Sequence, residues 1–125
     1  MNAQELLDRQ VLAEDNPNNG AALLLYNSWP CVRSAMDKYQ KKYRKVHGAT
    51  CHKAFPRIAF DNGYCIYFGI SNHDMDRWRC YEFTLIAGKG LSDESQELLG
   101  CRLRSSDRHS YPLVMYALSY MSNQF

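Results

Sequence analysis

Apolar residues recur along this chain at spacings that suggest its secondary structure. Between Ala3 and Glu14, Leu6, Leu7 and Val11 fall on one side of a short helix, which ends at the turn-forming run "NPNNG". "AALLLY", Ala21 to Tyr26, is apolar throughout and too short for periodicity to assign; it is read as a helical turn leading into the next helix. "NSWP" then has the form of a helix start. Ser28 is the candidate cap, and Pro30 sits in the first turn, where its missing N–H costs nothing. Val32, Met36, Tyr39, Tyr43 and Val46 follow at helical spacing as one apolar stripe, and Gly48 is a natural stop.

The period changes in "RIAFDNGYCIYFGI". A three-residue loop with Gly63 in the left-handed conformation would pair Phe60 with Tyr64 and Ile58 with Ile66. That register puts Ile58, Phe60, Tyr64, Ile66, Phe68 and Ile70 on one face. "RCYEFTLIA" alternates again, with Tyr81, Phe83 and Leu85 inward. "DESQELL" predicts a short helix closed by Gly100, "CRLR" a brief edge strand, and Tyr111 to Ser122 a final, largely apolar helix. The expectation is one α+β domain over residues 1–125, in the order α-α-β-β-β-α-(β)-α. Its helices would pack on one face of a small three-stranded antiparallel sheet. The helix–three strands–helix order is similar, in topology alone, to that of double-stranded-RNA-binding domains. Those domains open the helix after the sheet with basic residues, where this chain has Asp93 and Glu94.

Net charge is only +2, but its distribution is uneven. Seven of the fifteen Lys and Arg lie between Ser28 and Lys53 (Arg33, Lys38, Lys41, Lys42, Arg44, Lys45 and Lys53), against one of the thirteen acids, Asp37. On the main helix they fan out opposite the apolar stripe, so Tyr39 and Tyr43 read as core rather than as base-stackers. A solvated helix face usually intersperses acids with its bases, and this one scarcely does. It therefore reads as a docking face for nucleic acid or for an acidic protein surface, with Trp29, Trp78 or exposed tyrosines adding stacking. A helix-turn-helix, with "AALLLY" before the turn "NSW", is a further reading of the same stretch.

Other candidate chemistry is thinner. Five cysteines without a signal-peptide core point to free thiols in a reducing, cytoplasmic setting, and no apolar run has membrane-spanning length. No C-x-x-C occurs, and adjacent Cys51 and His52 are poorly placed to share one tetrahedral metal; the thiols read as small buried apolar groups. "NHDMD" lacks the acids of a calcium loop and reads as a polar turn. "AGKGLS" misses the phosphate-loop pattern, and "SSDRHS" is not a triad merely because its letters adjoin. The preferred expectation is a non-enzymatic binding protein without cofactor or metal, such as an inhibitor or accessory factor encoded by a mobile element. Its site would be the seven cations of residues 33–53. The alternatives are a Cys/His- or metal-dependent enzyme centred on Cys51, His52 and His73, and a homodimer packed through the C-terminal helix.

Overall fold

The computed structural model describes residues 3–14 and 20–103, and the backbone of residues 114–117. Helix α1 (Ala3–Val11) leads into strand β1 (Ala21–Tyr26), and helix α2 (Trp29–Tyr43) follows. Strands β2 (Ala49–His52), β3 (Arg57–Phe60) and β4 (Cys65–Ile70) form an antiparallel meander. A 3-10 helix (Met75–Trp78), strand β5 (Leu85–Gly88), helix α3 (Asp93–Gly100) and strand β6 (Val114–Ala117) complete the order. The sheet has six strands in the order β2-β3-β4-β1-β5-β6. β1 pairs in parallel with both β4 and β5, and β5 pairs in parallel with β6.

The α+β class is as expected, but the sheet is larger and mixed. "AALLLY" is its inner strand, not a helical turn, and all six residues are buried. A strand paired on both edges and covered on both faces has no wet side, so its sequence shows no alternation. Ala22, Leu24 and Tyr26 enter one core layer and Ala21, Leu23 and Leu25 the other. With β1 a strand, the helix-turn-helix reading falls. The expected meander is displaced by one strand: its third member is β2, while β5 pairs with β1 instead of β4. Val114–Ala117, expected as helix, is strand β6; the rest of that expected helix lies outside the described residues.

Helices cover both faces, not one. α1 and α2 pack over the layer built from Ile58, Phe60, Tyr64, Ile66 and Phe68. The 3-10 helix and α3 cover the other, where Phe55, Tyr67, Trp78, Tyr81 and Phe83 form an aromatic cluster with neighbouring ring centroids 5.2–6.2 Å apart. The hairpin register is the expected one. Ile58 faces Ile66, the Phe60 N–H donates to the Tyr64 carbonyl at 3.0 Å, and Gly63 takes a φ of 88°. Asn62 at the hairpin tip donates to the Val11 and Ala13 carbonyls at 3.0 and 2.9 Å, satisfying the last turn of α1. In the core, the Gln10 side-chain oxygen accepts from the hydroxyls of Tyr64 and Thr84 at 2.5 and 2.7 Å.

Candidate functional site: the flanks of helix α2

Helix α2 begins as expected. Ser28 is extended, its Oγ accepts from the Cys31 N–H, and Pro30 occupies the first turn. It ends earlier than expected, at Tyr43, and Val46 is 57% exposed, not part of the buried stripe. Gly48 is no helix stop. A Cβ there would lie 2.7 Å from the Asp61 carboxylate, so the glycine admits close approach of the hairpin tip.

Tyr39 and Tyr43 are core residues. They stack with centroids 5.9 Å apart, and their hydroxyls are held by α1: Tyr39 donates to Gln4 at 3.0 Å and Tyr43 to the Asp8 carboxylate. Burial is the main cause pushing both phenols well above the ordinary tyrosine range, and the Asp8 charge adds to it.

The seven predicted cations divide into groups. Lys42 Nζ is 3.0 Å from Asp8, so it closes the α1–α2 contact. Lys41 lies 3.0 Å from Asp37, one turn away and exposed. Arg44 and Lys45 follow the last turn of α2, where positive charge offsets the negative end of the helix dipole. Lys38 sits 5.2 Å above the Tyr39 ring and lines a cavity of about 290 Å³ together with Tyr26, Ser34 and Lys89. Arg33 and Lys53 line a larger cavity, of about 530 Å³, on the other flank of α2.

That larger cavity lies between the first turns of α2 and the β2–β3 loop. Val32, Met36, Cys51, Ala54 and Pro56 give it apolar walls. The Pro56 carbonyl accepts from the Phe68 N–H at 3.0 Å, fixing the loop beside the second half of β4. The cavity therefore opens near the carboxyl ends of β1 and β4, the end at which sheets with parallel strands commonly bind ligands. Arg33, Lys53 and Arg77 contribute charge from three separate segments. The Arg77 guanidinium stacks 4.8 Å from the Phe55 ring and 5.2 Å from Trp78. Asp37 also lines the cavity, with Lys41 against it. Trp29 is 39% exposed at the cavity, whereas Trp78 is fully buried and cannot stack on a ligand.

Arg77 was missed in the sequence because "HDMDRW" reads as a connection; only the docking of the 3-10 helix brings it near α2. Met36 and Pro56 carried no chemical signal at all.

Of the alternative centre, Cys51 and His52 are half-buried on β2, and His73 is exposed in the connection after β4. Cys51 and His52 are neighbours on β2 and so point to opposite faces. Burial raises the Cys51 thiol, against the need of a nucleophile, although Lys53 works the other way. Among the described residues no three His, Cys, Asp or Glu side chains gather to hold a metal ion. The thiols are not uniformly buried either: Cys31, Cys80 and Cys101 are exposed, and Cys80 follows the 3-10 helix. No helix among the described residues is long and apolar enough to cross a membrane. No protein-family model, curated protein or solved structure matches this chain.

Proposed function

We propose that this protein is a non-enzymatic binder of nucleic acid, and that the exposed side of α2 contacts the phosphate backbone. The observation that carries the reading is the set of cations left over after internal pairing. Arg33, Arg44, Lys45 and Lys53 have no ion pair among the described residues. Arg33 and Arg44 are about three turns apart and share one side of the helix, roughly 16 Å along its axis. Such a row neutralises phosphates without needing any particular base, and it releases counterions when it does so.

The test is a salt titration of binding to a labelled oligonucleotide. For a single strand, each phosphate contact contributes a slope of about −0.7 in log K against log salt. Replacing Arg44 by Gln should weaken binding and flatten that slope by about this amount. Charge reversal at Arg33, Arg44 and Lys45 together should abolish binding. Binding that ignores both salt and charge reversal would overturn the reading. Equal capture of polyglutamate in place of nucleic acid would move it to an acidic protein surface.

A further inference from the structure

The cavity of about 530 Å³ beside Trp29 adds something that a row of phosphate contacts lacks. Its volume falls in the range of small-molecule pockets, roughly 300–1,000 Å³. Its walls are apolar, its three cations come from different segments, and an exposed indole stands among them. We propose that this cavity receives one unstacked base of a single-stranded nucleic acid. The base lies against Trp29 and the apolar wall of Val32, Met36 and Pro56, while Arg33, Lys53 and Arg77 meet the flanking phosphates. The inference rests on the nucleic-acid reading above and names the form of nucleic acid that the same surface prefers.

Three arguments favour a base over the other occupants of an apolar recess. A run of acidic residues alone would satisfy the cations but gives the indole and the apolar wall nothing to cover. An uncharged apolar ligand would leave three cations facing a single carboxylate, Asp37, which already pairs with Lys41. A nucleotide brings both a π-face and a negative charge, and stacking tolerates any base because every base has such a face. A duplex keeps its bases stacked inside, so it can use the row on α2 but not the cavity. Trp29 opens α2 directly after the Ser28 cap, so the backbone that presents the indole is fixed by the helix start.

The two tryptophans make the test direct, because Trp78 is fully buried and Trp29 is not. Oligothymidylate and oligouridylate of about 16 nucleotides are titrated against the chain, with a duplex of the same length and polyglutamate as the other arms. Both single strands should quench the exposed indole and bind more tightly than the duplex. Trp29→Ala should weaken single-strand binding about 5- to 150-fold, the range that stacking of one base supplies, and leave duplex binding unchanged. Trp29→Phe should retain most of the affinity while losing the quench. Lys53→Ala, on an exposed loop, should weaken single-strand binding more than duplex binding.

Duplex binding as tight as single-strand binding, and equally indifferent to Trp29→Ala, would overturn the base site and leave the nucleic-acid reading standing. Absence of binding to all three nucleic acids would overturn both. A preference for thymidylate over uridylate, or the reverse, decides between DNA and RNA as the source of the strand.

Discussion

Cys65 leaves the hairpin on the face opposite Ile66, where burial pushes its thiol up to about 11 and the neighbouring Tyr67 phenol to about 12. The sign of the consequence follows from which state holds its protons. In the unfolded chain the thiol ionises near 9, so between that pH and about 11 the folded chain keeps a proton that the unfolded one has lost. The resulting stabilisation is fully present below about pH 9 and is lost as pH rises through about 11. The urea midpoint should therefore fall over this interval, and Cys65→Ala should make the fall shallower. An unchanged pH profile in that variant would assign the effect elsewhere. Iodoacetamide should modify the exposed Cys31, Cys80 and Cys101 well before Cys65. The sequence could tell that Tyr39 and Tyr43 belong to the core, because their spacing puts them in the apolar stripe. It could not tell that Lys42 belongs to Asp8, because that pairing exists only once α1 lies beside α2.

Single elements were legible to the degree that they have a wet side. α2 alternates buried with exposed positions and the β3–β4 hairpin buried with half-buried ones, so phase alone gave the face and, for the hairpin, the register. β1 has no exposed residue, and a run without contrast carries no phase. "VMYA" in β6 likewise lies within an apolar stretch whose pattern does not separate strand from helix. Gly69 in β4 shows a packing constraint that no pattern announces. A Cβ built there would stand 3.0 Å from Trp78 and 3.1 Å from Leu25 of the paired strand. The Trp78 ring is walled in by Phe55, Tyr67, Tyr81 and Phe83, so it has little room to yield. Gly69→Ala should thus cost about 1–3 kcal/mol of overpacking strain, more than the roughly 0.4–1 kcal/mol gained by restricting the unfolded chain. Urea unfolding measures the net loss, and a change in near-ultraviolet circular dichroism would locate it at the tryptophan cluster. A stabilised variant would show that the aromatic cluster can shift after all.

At the scale of the molecule, the missing information was long-range. β1 pairs with β4 across the whole of α2 and the β2–β3 hairpin, and a parallel pairing at that separation leaves no local trace. That pairing also determines where the site stands. α2 must leave the carboxyl end of β1 and run back over the sheet, which sets its first turns against the β2–β3 loop and opens the cavity between them. The basic stretch of the sequence and the cavity thus share helix α2, the cations crowding its C-terminal half and the cavity lying on its N-terminal flank. Hydrogen exchange can test this arrangement and the site together. Amides of β1, paired on both sides and covered by both layers, should exchange only through global unfolding, whereas β2, an edge strand paired with β3 alone, should open well before it. Adding oligothymidylate should slow exchange in the first turn of α2 and the β2–β3 loop and leave α3, on the opposite layer, unaffected. Protection that instead appeared at α3 would place the ligand on the other face of the sheet and remove the cavity beside Trp29 from the account.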